Sequence, residues 1–166
     1  MFTKILKNNN ALTISDDLFS EVMVRNNRRL FLSFFSILLL ANLATIAIKA
    51  AGRGSEYLTY QSIAIECALA FSILIIGFYL AKRMKGHWSS SYISITGVIL
   101  CLFIFQYVIY GAPEVFATFY ISFSLSVLYF NRRASLYNFA LIMAVQIILF
   151  AVRPELIPGG PKSNIM

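Results

Sequence analysis

Glu66 is the acidic residue that lies well inside a long apolar stretch, and it is therefore the first candidate for chemistry. An ionisable side chain at membrane depth is costly, and it usually faces the interior of a helix bundle or a water-filled cavity. From a rise of about 1.5 Å per residue, we expect Glu66 about 9 Å below the start of its helix. We interpret it as a functional candidate. The alternative is a structural Glu that stays protonated or reaches water at the interface.

Amide, phenol and acidic side chains near the ends of neighbouring apolar stretches extend this candidate into a constellation. By helical register they approach the same outer surface of the membrane, where together they predict a small polar pocket that senses a ligand. The ligand-sensing candidates are Glu66, Gln61, Gln106, Tyr107, Tyr110 and Glu114. The alternative is structural, because Tyr is common in the aromatic belt at membrane surfaces. A Gln inside a span is often a packing contact of about 0.6 kcal/mol.

The sequence contains no pattern typical of an enzyme. It has no nucleophile–base–acid set, no glycine-rich loop that would cradle a phosphate and no metal-ligand spacing. Its two cysteines, Cys67 and Cys101, both lie in apolar stretches, where we expect small buried side chains. His87 stands next to Trp88, which is typical of an interfacial position. We therefore predict no catalytic residues, no cofactor and no metal.

The composition indicates that an all-α, membrane-embedded bundle positions these residues. Hydrophobic residues make up 59% of the chain and charged residues only 13%, whereas a soluble domain has about 25% charged residues. The formal net charge is +7, but the Lys and Arg residues flank the apolar stretches, as in proteins that contact lipid headgroups. The predicted partner is therefore the lipid bilayer, and no nucleic acid.

Five apolar stretches are predicted to cross the membrane as helices, since a bilayer requires about 20 residues per span. They cover residues 30–48, 60–80, 92–110, 115–130 and 136–152. The last two are short, but their tight connections favour antiparallel hairpins. Outside this transmembrane domain of 30–152, we predict a mobile tail at 1–14, an amphipathic helix on the membrane surface at 15–29 and an extracytoplasmic tail at 153–166.

The distribution of basic residues predicts how the chain is oriented. Ten Lys and Arg residues fall on the side of the N-terminus and four on the opposite side. Loops rich in Lys and Arg are retained in the cytoplasm. The N-terminus is therefore predicted to be cytoplasmic, and five spans then place the C-terminus outside.

Two stretches carry a resemblance to a known family, ATFYISFSLSVLYFNRR at 117–133 and FAVRPELIPGG at 150–160. With the multispan pattern, they resemble the N-terminal sensory region of bacterial methyl-accepting chemotaxis transducers. Such transducers typically place six spans before a cytoplasmic coiled-coil signalling domain. The resemblance implies a receptor of the bacterial inner membrane that forms a homodimer and passes its signal to cytoplasmic domains or proteins. This sequence lacks the sixth span and the signalling domain, so the resemblance implies a chain truncated after five spans.

Three hypotheses for function follow from these patterns. The first is a non-catalytic sensory input module that relays a stimulus to a cytoplasmic output by helix motion. The second is a small transporter or transporter subunit that uses Glu66 as a coupling acid, although the chain has no internal repeat of the kind that many transporters show. The third is a membrane assembly factor, which would purify with a stable partner.

Overall fold

The computed structural model describes residues 2–52, 58–84, 87–109, 118–126, 129 and 131–152 of the chain. These residues form helices and the turns beside them, and the described part of the chain contains no strand. The helices are α1 (Phe2–Ala50), α2 (Tyr60–Arg83), α3 (Trp88–Val108), α4 (Thr118–Ser126) and α5 (Arg132–Val152). The all-α fold class predicted from the sequence is confirmed.

Four of these helices are long and apolar enough to cross a membrane, which indicates a membrane protein. The apolar parts are Leu18–Ala50, Tyr60–Arg83, Trp88–Val108 and Arg132–Val152. The fourth predicted span, 115–130, corresponds to α4, which has nine residues in the described part of the chain. Residues 115–117, 127, 128 and 130 of that span lie outside the described residues. The crossing of the membrane by α4 stays a prediction.

Helix α1 is longer than the first predicted span, because it runs without interruption from Phe2 to Ala50. The sequence predicted separate segments here: a tail at 1–14, a surface helix at 15–29 and a span at 30–48. Neither Gly nor Pro occurs between Phe2 and Ala50, so no residue that commonly breaks or kinks a helix separates these segments. The helix ends at Ala50, and Gly52 in the turn that follows has a φ of 73°, the left-handed conformation that glycine adopts after a helix.

Side chains at the helix ends determine where α2 and α3 begin. Thr59 accepts a hydrogen bond from the Ser62 backbone N–H at 3.0 Å, and the Ser62 hydroxyl interacts with the Thr59 backbone in return, which forms a capping box. His87, predicted as an interfacial residue, caps α3 by accepting from the Ser89 backbone N–H at 3.2 Å. The polar breaks between the apolar stretches therefore hold the caps that start the helices.

The centre of the bundle is a close approach of α2 and α3 beside an aromatic ring of α1. A Cβ atom placed on Gly77 would lie 3.4 Å from two ring atoms of Phe31 and 3.9 Å from the Cα of Gly97. Phe31 also makes an edge contact with Phe78, with ring centroids 5.5 Å apart. Small residues allow helix backbones to approach closely in membranes. Gly77 and Gly97 thus bring α1, α2 and α3 together.

We predict that a large side chain at Gly77 destabilises the bundle whereas a methyl group is tolerated. Gly77→Ala adds an ordinary van der Waals contact to Phe31, but Gly77→Leu overfills the space and should cost about 1–3 kcal/mol of unfolding free energy. Thermal unfolding in detergent, followed by circular dichroism, measures the effect. Ile76→Leu is the control, because Ile76 is exposed on the outer face of the same helix. Equal stability of Gly77→Leu and Ile76→Leu would contradict the packing described.

Candidate buried polar sites

Glu66 is fully enclosed by the bundle, with none of its surface exposed. The polar groups next to its carboxyl are the Asn42 amide of α1 and the Cys67 thiol of its own helix. Neither Glu66 carboxyl oxygen meets hydrogen-bonding geometry with a protein donor in the described part of the chain. The same holds for Asn42 Oδ1, while Asn42 Nδ2 donates to the Leu38 backbone carbonyl at 3.2 Å. We name Asn42 and Glu66 the outer polar pair.

Three acceptor atoms of the outer polar pair, both Glu66 carboxyl oxygens and Asn42 Oδ1, have no hydrogen-bond partner in the described part of the chain. A buried polar atom without a partner costs about 1–3 kcal/mol, and more when it is charged. The neighbouring Cys101 thiol does not relieve this shortage, because it donates to the Ala70 backbone carbonyl at 3.2 Å. Chemically, the pair therefore suits a species that brings donors or positive charge, such as a proton or a small cation. Asn42 was not singled out from the sequence, although an amide inside an apolar stretch was the available signal.

The structure brings Gln106 to the level of Glu66. Helices α2 and α3 run antiparallel, with Ala70 paired to Cys101 and Gly77 lying beside Gly97. Gln106 comes five residues after Cys101 on α3, and Glu66 comes four residues before Ala70 on α2. Because the helices are antiparallel, the two side chains lie at a similar level. Both side chains are buried.

Two other residues of the predicted ligand-sensing pocket are exposed on the surface of the bundle. Gln61 is exposed, and so is Tyr107, whose ring stacks on Phe103 with centroids 6.0 Å apart. Tyr110 and Glu114 are outside the described residues. Within the described residues, the structure therefore places Glu66 and Gln106 of the predicted pocket at a similar level of the bundle, and it adds Asn42 beside Glu66. The ligand-sensing role of each residue stays a prediction.

A second buried cluster, which the sequence did not reveal, lies at the opposite end of the bundle. The Tyr129 hydroxyl donates to Asn27 Oδ1 at 2.6 Å, and Asn27 Nδ2 donates to Ser90 Oγ at 2.8 Å. Ser94 Oγ donates to the Ser90 backbone carbonyl at 2.8 Å. All four residues are buried. This chain of hydrogen bonds, which we name the inner network, links α1, α3 and the segment after α4.

The inner network explains why polar residues near the membrane surface are buried. From the sequence, Asn27 was expected to belong to a helix on the membrane surface, and Ser90 was not among the candidate residues. Ser90 and Ser94 are four residues apart on α3, so they lie on one helix face. The sequence could not show that Asn27 has a buried hydrogen-bond partner, because only the fold brings Tyr129 to Asn27.

A separate pair of contacts joins α4 to α5. Asn138 is fully buried, and its Nδ2 donates to the Ser122 backbone carbonyl at 3.2 Å. The Ser122 hydroxyl donates back to Asn138 Oδ1 at 3.4 Å. Each polar group thus meets its partner on the facing helix, as expected where water is excluded.

Comparison with protein family models, with characterised proteins and with solved structures finds no match to this chain. Within the described residues, no group of three or more His, Cys, Asp or Glu side chains is arranged to hold a metal ion. The geometry of the outer polar pair and of the inner network is therefore the basis for any functional assignment.

We predict that Tyr129→Phe weakens the bundle without changing its helices. The substitution removes the donor to Asn27 Oδ1 and leaves that buried acceptor unpaired, which should cost about 1 kcal/mol of unfolding free energy. Denaturant unfolding of the purified protein in detergent measures the change. Tyr120→Phe is the matched control, because Tyr120 is 76% exposed. If both variants unfold at the wild-type midpoint, the hydrogen bond to Asn27 does not stabilise the fold.

Proposed function

We propose that this chain is the membrane-embedded input module of a bacterial signal-transduction receptor of the chemotaxis type. In this proposal the module is non-catalytic, forms a homodimer in the inner membrane, and passes a stimulus to a cytoplasmic signalling domain or protein. The observation that carries the proposal is the path of α1. One unbroken helix holds Asn42 beside Glu66 and also places Asn27 in the inner network.

The two polar clusters are connected through a single buried stripe of α1. Between Asn27 and Asn42, the residues Leu30, Phe34 and Leu38 are each no more than 2% exposed. The two amides are about four turns, or roughly 22 Å, apart along the helix. A packed helix without a break moves as a unit, and shifts of about 1–2 Å are typical of signalling helices. A change in the hydrogen bonding of the outer polar pair is therefore expected to alter the inner network.

The stimulus in this proposal is a species that supplies the donors that the outer polar pair lacks. Such a species shifts the equilibrium between two bundle conformations only if it binds one of them better. The conformation with a well-enclosed Glu66 and Asn42 is the state described above. Gln61, Gln106, Tyr107, Tyr110 and Glu114 stay predicted ligand-sensing residues within this proposal.

The second candidate function, a small transporter or transporter subunit, is favoured by the same buried acid. Ionisable residues inside a bundle also mark proton and ion pathways. In that case Glu66 would couple transport to a proton or cation. The two functions differ in one measurable property: a transporter moves its substrate across the bilayer, whereas an input module changes conformation without net flux.

The proposed topology has five spans, a cytoplasmic N-terminus and an external C-terminus. We expect a cysteine at Gly52 to react with a membrane-impermeant maleimide in intact cells, and cysteines at Met84 and Arg133 to react only after permeabilisation. The Arg133→Cys variant decides the span count, because labelling from outside would mean that α4 does not cross. Wild-type protein is the control, since Cys67 and Cys101 both lie within apolar helices.

The relay predicts that Glu66→Gln changes the surroundings of Trp88 at the far end of the bundle. Trp88 is the single tryptophan of the chain, and its ring lies 4.6 Å from that of Phe19 on α1. The amide introduced at position 66 supplies donors to the outer polar pair, so we expect a shift of the Trp88 emission maximum in nanodiscs. Gln61→Glu, the reverse exchange at an exposed position of α2, should leave the emission unchanged.

An unchanged Trp88 spectrum in Glu66→Gln would contradict the relay. Flux assays in vesicles complete the test, because proton or cation flux through the wild-type protein that is lost in Glu66→Gln would favour the transporter. An input module is expected to show the emission shift without flux.

A further inference from the structure

A basic cleft lies where the first turns of α3 and α5 meet, away from both polar clusters. It has a volume of about 580 Å³ and is lined by Trp88, Tyr92, Asn131, Arg132 and Arg133. This volume is within the range of roughly 300–1,000 Å³ that is typical of small-molecule sites. The cleft is therefore large enough to hold a headgroup, and its lining combines aromatic rings with two positive charges.

The walls of the cleft are fixed by contacts between α3 and α5. The rings of Tyr92 and Tyr137 meet edge to face, with centroids 4.9 Å apart. Below them, the hydroxyls of Tyr137 and Thr96 are hydrogen-bonded at 2.8 Å. These contacts hold the two helices together just beyond the cleft, so its shape is a property of the folded bundle.

The two arginines are available to a ligand. Both arginine residues are exposed. Asn131 already has a partner within the chain. Its Oδ1 accepts a hydrogen bond from the Arg133 backbone N–H at 2.8 Å and so orients the start of α5. Arg presents a planar fork of donors that matches the oxygens of a phosphate group. The arginine side chains of the cleft are therefore suited to binding a phosphate group.

The position of the cleft indicates the source of that phosphate. Trp88 and Arg132 are the first residues of two helices that are long and apolar enough to cross a membrane. The cleft therefore lies at the depth of the lipid headgroups, where Trp and Tyr are enriched and Lys or Arg attract anionic lipids. We propose that this cleft binds the phosphate group of an anionic phospholipid, with Arg132 and Arg133 as its ligands and Trp88 and Tyr92 beside the glycerol backbone. This site goes beyond the proposed sensory function and does not depend on it.

Quenching of Trp88 in the 166-residue chain tests the site, because this single tryptophan lines the cleft. Phosphatidylglycerol with brominated acyl chains, titrated into nanodiscs of phosphatidylcholine, should quench Trp88 in a saturable manner. Brominated phosphatidylcholine should quench it less at the same mole fraction. In the double variant Arg132→Gln/Arg133→Gln, the apparent affinity for phosphatidylglycerol should fall by roughly thirtyfold.

The matched control is Arg28→Gln/Arg29→Gln, which removes the same charge from an exposed arginine pair on α1. This variant should retain the wild-type affinity. An equal loss in both double variants, or equal quenching by the two lipids, would overturn the proposal and leave only diffuse attraction of the basic chain to anionic membranes.

Two further experiments distinguish a lipid phosphate from a soluble phosphate, and a lost phosphate contact from a loss of folding. Competition by inorganic phosphate would assign the cleft to a soluble phosphate, whereas lipid binding that resists phosphate assigns it to the headgroup. If Arg132→Gln/Arg133→Gln loses its helical circular dichroism, the variant Arg132→Lys/Arg133→Lys carries the test. It keeps both charges but loses the planar forks, so intermediate affinity is expected, and wild-type affinity would overturn a defined phosphate contact.

Discussion

The close approach of α2 and α3 at Gly77 and Gly97, with the Phe31 ring of α1 against it, is the contact on which the other features depend. It sets the register of three helices at once, because the glycines leave no side chain that would separate the backbones. Towards one end of the bundle from this contact, Glu66 lies beside Asn42. In the other direction, Asn27 reaches Ser90. Both polar clusters are consequences of a contact between apolar groups.

The two clusters differ in how well their polar atoms are satisfied. In the inner network, the side-chain donors of Tyr129, Asn27 and Ser94 each have an acceptor within 2.8 Å. In the outer polar pair, the acceptors of Asn42 and Glu66 have no protein donor in the part of the chain that is described. Satisfied networks specify one arrangement, whereas unsatisfied buried groups are a cost that function commonly explains. This contrast is why we propose a sensing role for the outer polar pair and a relay role for the inner network.

The amino-acid sequence predicted the helical class and the long apolar helices, because both depend on composition. It also singled out Glu66 as an acid in an apolar stretch, and the role of Glu66 stays a prediction. It did not predict Asn42, Asn27 or Tyr129 as site residues. Their roles depend on the rotation of each helix about its axis, which small residues such as Gly77 and Gly97 determine through packing. The continuity of α1 was also not predicted, because the polar residues in its first half suggested a helix boundary where the structure has none.

The absence of Gly and Pro from α1 also constrains how this protein can vary in length. Asn27 and Asn42 lie on the same buried stripe of one helix, so their angular phase is fixed by the number of residues between them. One inserted residue would rotate one amide by about 100° relative to the other and lengthen the helix by about 1.5 Å. An insertion of about seven residues, two full turns, would restore the phase but not the distance. Without a hinge to absorb the mismatch, the segment between the amides tolerates exchange of residues far better than their gain or loss.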